Sequence, residues 1–134
     1  MRPSLRRDSL ISVSRTYAYS YGNGRKSIDG MPSVLSSIPM FVEPFFVTDA
    51  SLNRVSGIAG ELGKKGYSTA FFHGAPNGSM GFQAFSRATG YEPYYGMDEY
   101  KLAHGSDEFD GTWAIWDKPF FEYYAETIDT IKDP

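Results

Sequence analysis

Cysteine is absent from this chain of 134 residues, and histidine occurs only twice, as His73 and His104. The first absence removes disulfides, thiolate metal ligands and cysteine nucleophiles from consideration. It does not specify a compartment, because a cysteine-free chain is stable in either redox environment. No apolar run approaches membrane-spanning length, and the basic start from Met1 to Arg7 is not followed by the uninterrupted apolar core of a signal peptide. An excess of positive charge is also lacking. The formal net charge is -3, so no global basic field recruits nucleic acid or anionic lipid. Repeats and low-complexity tracts are missing. The expectation is one soluble domain, residues 1–134, whose 41% hydrophobic content suffices for a real core.

What is present is a glycine-punctuated alternation of helical and strand-like patterns. Leu5, Ser9, Ile11 and Val13 form a short helical pattern, and Thr16 to Tyr21 alternates aromatic and small residues as a strand does. Ile28, Met31, Leu35 and Ile38 recur at helical spacing, predicting a helix that starts at Ser27, carries Pro32 in its first turn and stops before Pro39. Thr48 to Ser51 offers caps for a second helix, with Leu52, Val55, Ile58, Ala59 and Leu62 on one face and Gly63 and Gly66 ending it. Ser68 to His73 reads as a buried strand, Phe82 to Ala88 as a short helix ending at Gly90, and Tyr91 to Lys101 as a further strand with a loop. Asp117 can cap a last helix with Phe120, Tyr124, Ile128 and Ile131 as its buried stripe. Helix followed by strand after a glycine turn predicts an α/β fold of three-layer α/β/α type, with a partial, mainly parallel sheet and flanking helices.

Chemistry concentrates where Asn23-Gly24-Arg25-Lys26 runs into Ser27. A hydroxyl at a helix N-terminus lies in a field that favours anions, and Arg25 and Lys26 add formal positive charge. That placement suits an oxygen nucleophile attacking a phosphate or sulfate ester. Serine is equally a preferred helix cap, so the local pattern leaves both roles open. His73 stands at the carboxyl end of a predicted strand, where ligands gather in open α/β sheets, although a core histidine bonded to the backbone fits the same pattern. Asn77-Gly78 is a tight-turn pair and, with Ser79, a formal glycosylation sequon. His104 reads as a surface residue. Asp107, Glu108 and Asp110 lack the spacing of a calcium loop and read as a solvated acidic loop. Tyr91, Tyr94, Tyr95 and Tyr100 fit either a sugar platform or ordinary packing.

The motifs Asn23-Gly24-Arg25-Lys26-Ser27-Ile28-Asp29-Gly30-Met31-Pro32, Ala70-Phe71-Phe72-His73-Gly74 and Asn77-Gly78-Ser79-Met80 occur in order. Gly90-Tyr91, Tyr95-Gly96 and Phe109 to Phe120 follow. Together they resemble the lipoteichoic acid synthase-like branch of the sulfatase and alkaline phosphatase superfamily, from about Leu10 onward. The resemblance implies that Ser27 is the metal-bound nucleophile, taking up a phosphoryl group and passing it to an alcohol or to water. It implies substrate-binding roles for His73, Lys26 and Asn77, and a divalent metal (Mn, Zn, Mg or Ca) in the full-length parent. The implied substrate is a phosphate ester, lipid-linked in some members. The implied parent is membrane-anchored, with an extracytoplasmic catalytic domain and membrane contact only through segments outside this chain.

Three departures shape that expectation. The tryptophan and arginine that clamp phosphate in lipoteichoic acid synthases correspond to Met80 and Phe82. The family's earlier acidic metal ligand and its downstream Asp-His pair have no counterpart here, and no Asp-His or Glu-His dipeptide occurs. The chain is therefore expected to be an internal fragment that binds no metal by itself. Sulfatases proper require proline and arginine where Asp29 and Met31 stand, which disfavours sulfate-ester hydrolysis. The alternative from a different class is a non-catalytic domain whose aromatic loops hold a carbohydrate or a protein.

Overall fold

The computed structural model describes residues 14–15, 17–40 and 42–131. The helical pattern expected between Leu5 and Val13 lies outside them. Among the described residues the chain is a mixed α/β fold with five α-helices and a two-stranded parallel sheet.

Helix α1 spans Ser27–Ser36 and buries Ile28 and Met31, as their spacing requires. Pro32 is buried in its second turn rather than placed in the first. The helix closes on Ser37, whose φ of 56° is left-handed, while the Ile38 N–H reaches back to the Pro32 carbonyl at 3.1 Å. Such a reversal satisfies terminal carbonyls without a glycine. Short 3₁₀ turns follow at Phe45–Val47 and Asp49–Leu52.

Helix α2 is Ile58–Gly63, six residues beyond Leu52, where the cap at Thr48 to Ser51 predicts its apolar face to begin. Those cap residues close the Asp49–Leu52 turn instead, where the Ser51 hydroxyl bonds the Thr48 carbonyl at 2.8 Å. Short polar side chains compete for local backbone in this way. Leu52 is left 86% exposed, off any buried face.

Strand β1 (Phe71–Phe72), helix α3 (Phe82–Ala88) and strand β2 (Tyr94–Tyr95) form one crossover unit. The strands pair in parallel, Phe71 opposite Tyr94 and Phe72 opposite Tyr95, and the facing rings stack at 5.7 and 4.7 Å. A helix-bearing connection is what parallel pairing demands. The strand expected over Thr16 to Tyr21 is not formed at residues 17–21, where Tyr17, Tyr19 and Tyr21 project into solvent. Among the described residues no neighbouring strand turns that alternation into a ladder.

The region Tyr91 to Lys101 also departs from expectation. Its strand is two residues long, and Met97–His104 is helix α4. Glu99 accepts the Gly96 N–H at 2.7 Å, capping α4, and Met97 and Tyr100 fall on its buried face. Helix α5 is Asp117–Ile131. Its most buried residue is Tyr123, three positions after Phe120, while Tyr124 remains 41% exposed.

Two cores result. The first gathers Ile28, Met31, Phe82 and Phe85, flanked by Phe45, Phe46 and Phe71. The second gathers Met97, Tyr100, Ile115 and Tyr123, flanked by Phe72, Tyr95, Phe109 and Phe120. Behind the first core two backbones meet directly. The Gly60 N–H donates to the Thr89 carbonyl at 2.9 Å. At Gly90, φ is 96° and a Cβ would stand 2.6 Å from Gly60. No helix of the described residues is long and apolar enough to cross a membrane.

Candidate functional site

Ser27 is the first residue of α1 and is exposed. The cap position belongs to Lys26, and its backbone N–H is satisfied from inside the helix by Asp29. Oδ2 of Asp29 accepts the N–H groups of Arg25 and Lys26, each at 3.0 Å. An acidic side chain in the first turn satisfies orphan donors and complements the helix dipole. Among the described residues no hydrogen bond engages the Ser27 hydroxyl, so capping does not account for this serine.

The loop before it is tied down elsewhere. Asn23 Oδ1 accepts the Met40 N–H at 3.0 Å, joining the loop to the chain beyond the far end of α1. A hollow of about 580 Å³ opens beside this junction, lined by Asn23, Arg25, Lys26, Asp29, Met40 and Pro44 among others. Lys26 is thus exposed at its rim. Of the sequence-predicted site residues only Lys26 lines it; Ser27, His73 and Asn77 do not.

His73 follows β1, and its N–H bonds the Tyr95 carbonyl at 3.0 Å, extending the parallel ladder by one residue. Its ring stacks on Phe82 with centroids 4.0 Å apart. Nδ1 lies 3.4 Å from the Tyr94 hydroxyl. Burial lowers the imidazole pKa below its ordinary 6.5, so the ring is predominantly neutral at pH 7. Burial, with the charges of Glu99 and Asp98, pushes the Tyr94 phenol up to about 12. Tyr94 therefore keeps its proton, and its hydroxyl can donate to Nδ1 or accept from it according to the ring tautomer. Phe82 belongs to the core on which α1 packs, so His73 and the Ser27 helix share one apolar support.

Asn77 is engaged within the fold. Its amide nitrogen donates to both carboxylate oxygens of Glu99, at 3.0 and 2.9 Å, and its oxygen accepts the Asp98 N–H at 3.3 Å. The position a Gly96 Cβ would take is filled by the Asn77 oxygen. Burial pushes the Glu99 carboxyl up. The Asn77 hydrogen bond, the backbone N–H groups of Gly96 and Glu99 and the Arg87 charge outweigh it, leaving the pKa lowered. Asn77 and Glu99 form a clasp between the loop after β1 and the start of α4.

The remaining sequence candidates resolve into packing. Tyr94 and Tyr100 are 4% and 3% exposed, and Tyr91 and Tyr95 lie against Phe71 and Phe72, so these rings are not a free sugar platform. His104 stacks on Tyr100 and lies 3.8 Å from Glu126. Asp110 is more ordered than a solvated acidic loop suggests: one oxygen accepts the N–H groups of Thr112, Trp113 and Ala114 and the Thr112 hydroxyl. Trp113, Trp116 and Phe121 present exposed rings nearby.

Pattern reading placed Ser27 at a helix start and His73 at a strand end, where they lie, but gave Asp29, Tyr94 and Glu99 no part in holding those positions. A signal existed for two of them, since an acidic residue at the third position of a helix is a capping mark. Among the described residues no group of three or more acidic or histidine side chains could hold a metal ion. The chain matches no family model, and no curated protein or solved structure matches it significantly.

Proposed function

We propose that this chain carries the nucleophile-bearing part of a phosphoryl-transfer site acting on phosphate esters, with Ser27 as the attacking hydroxyl. The observation that carries the proposal is a serine at the first position of a ten-residue helix, exposed and relieved of capping by Asp29. The transferred group would bond to Ser27 Oγ as the ester bond to the leaving oxygen breaks, then pass to an alcohol or water. Lys26 supplies charge at the rim of the adjoining hollow. The neutral His73 would suit a hydrogen bond to a phosphate oxygen or head-group hydroxyl, donating from Nε2 in the tautomer that accepts from Tyr94 at Nδ1. Asn77 acts on the substrate only indirectly, through the loop it clasps.

The resemblance implies a divalent metal, yet the described residues alone do not form its site. Among the described residues no three acidic or histidine side chains are grouped to hold a metal, and Asp29 is turned onto the backbone. A metal-dependent parent would supply the missing ligands from outside these residues. The same reading places the two strands in a wider three-layer α/β/α sheet. It places the parent at the membrane with an extracytoplasmic catalytic domain.

The test is Ser27→Ala in the full-length protein containing this chain, assayed on bis(4-nitrophenyl) phosphate. Transfer should vanish while the folded state shifts by less than ~0.5 kcal/mol, as for an exposed side chain without partners. A cap would instead cost roughly 0.5–2 kcal/mol and spare turnover. A fully active Ser27→Ala protein would falsify the catalytic role. The exposed Trp113, Trp116 and Phe121 favour one second reading, a carbohydrate- or protein-binding face. That reading predicts that their replacement abolishes ligand binding in a protein with no hydrolytic activity.

A further inference from the structure

The residue of this site that local pattern explains least is Asp29. Its side chain is among the most buried polar groups of the molecule, at 4% exposure, and only half of its carboxylate is used. Oδ2 takes the two N–H bonds from Arg25 and Lys26, whereas Oδ1 is buried with no hydrogen-bond partner among the described residues. Burying an acceptor without a partner is costly, and native structures rarely tolerate it without return. All the hydrogen bonding this side chain does is done on the two residues that precede Ser27.

The loop is also seated on Asp29 sterically. Gly24 has φ of 97°, and the place its Cβ would occupy is filled by the Asp29 Cβ and by the Met40 sulfur at 2.7 Å. The loop therefore lies directly against this side chain, which only glycine permits. With the Asn23–Met40 bond at the other end, residues 23–26 are held at three points. Ser27 comes next in the chain, its hydroxyl makes no hydrogen bond among the described residues, and it takes its position from that loop.

We infer that Asp29 is a positioning residue for Ser27, fixing through its two backbone hydrogen bonds the loop that presents the Ser27 hydroxyl. The inference rests on the phosphoryl-transfer reading and adds to it the element that sets the attack geometry. Asp29 touches no reacting atom. Its contribution is entropic and geometric, and displacing a nucleophile by about 1 Å can cost ~10²-fold in rate.

Two variants test this in the full-length protein, again with bis(4-nitrophenyl) phosphate. Asp29→Ala removes both hydrogen bonds, and kcat should fall about 10- to 100-fold with KM changed less than about threefold, the pattern of misplaced chemistry rather than lost binding. Asp29→Asn keeps an acceptor oxygen for Arg25 and Lys26 and should recover most of the loss. Tyr123→Leu, in the second core, serves as a control for destabilisation without contact to the loop. Hydrogen exchange on the 134-residue chain supplies a readout independent of activity. The Arg25 and Lys26 amides should exchange faster in Asp29→Ala and at nearly the parent rate in Asp29→Asn.

An Asp29→Ala protein whose kcat matches Tyr123→Leu overturns the inference and leaves Asp29 a simple cap. So does an Asn variant as inactive as the Ala variant, which would make charge and not hydrogen bonding the active quality. Unchanged exchange at Arg25 and Lys26 in Asp29→Ala overturns it as well. If Ser27→Ala retains activity, the phosphoryl-transfer reading itself fails and this inference falls with it. If Ser27→Ala is inactive while Asp29→Ala behaves like the control, only the positioning role fails.

Discussion

The two cores of this molecule differ in chemistry and in reach. The first is built from phenylalanine and aliphatic side chains drawn from segments far apart in sequence, from Ile28 to Phe85. Phe45, Phe46 and Phe85 meet edge to face at 5.3–5.8 Å. The second is rich in tyrosine, and its buried members all fall between Met97 and Tyr123. Ser27 is carried by the first core, and His73 rests on it through Phe82. Asn77 is clasped to α4, an element of the second. The position of the proposed nucleophile thus depends on long-range packing, whereas the Asn77 clasp depends on contacts closer in sequence.

The strongest way to break this contrast is Phe85→Ala. Phe85 is 2% exposed and contacts both neighbouring phenylalanines, so its removal should cost about 3–5 kcal/mol, a large part of the stability of a domain this size. Urea unfolding measures the loss, and hydrogen exchange locates it. Amides of α1 should lose protection before those of α4 and α5. Equal protection of α1 in the variant would show that the first core does not hold the Ser27 helix.

Asn77→Ala should be milder, about 1–3 kcal/mol, because it strips a half-buried carboxylate of its side-chain donor. Its effect should stay on α4 and the loop after β1. Fraying of α1 in the same variant would contradict the separation of the two cores.

The smallest effect concerns pH. The folded-state pKa of His73 is lowered, so the unfolded chain binds the proton more readily. Stability from His73 is therefore complete above its ordinary 6.5 and is lost as pH falls from there towards the folded value. Glu99 is also lowered, but its contribution is lost at lower pH, below its ordinary 4.5. His73→Gln should flatten the upper part of the stability profile and leave the lower part unchanged. A profile identical to the parent's between about pH 7 and 5.5 would show that burial does not shift this imidazole.

Much of this architecture was legible in the sequence. The start of α1 followed from the spacing of Ile28, Met31 and Leu35, and α3 and α5 stood out by apolar period and caps. The α/β class followed from helix–glycine–strand order. Helix α4 was hidden because Tyr91, Tyr94, Tyr95 and Tyr100 look strand-like, and aromatic propensity outweighs the weak capping signal of Glu99. Helix α2 was misplaced because Thr48 and Ser51 are good caps whose competing use, a 3₁₀ turn, leaves the same local pattern. For the candidate site, placement at element ends could be read, as for Ser27 at the start of α1 and His73 after β1. Partners that act across the fold, such as Tyr94 on His73, leave no mark at fixed spacing.

The junction of Gly60, Thr89 and Gly90 has a consequence for how such a sequence can vary. Apolar side chains in either core can be exchanged in compensating pairs, because volume lost at one position can be regained at another. Backbone touching backbone offers no such exchange. A Cβ at Gly90 would strike Gly60, and one at Gly57 would come within 2.6 Å of the Thr89 side chain. Among diverged relatives, positions 57 and 90 should stay glycine long after the phenylalanines of the first core have been reshuffled.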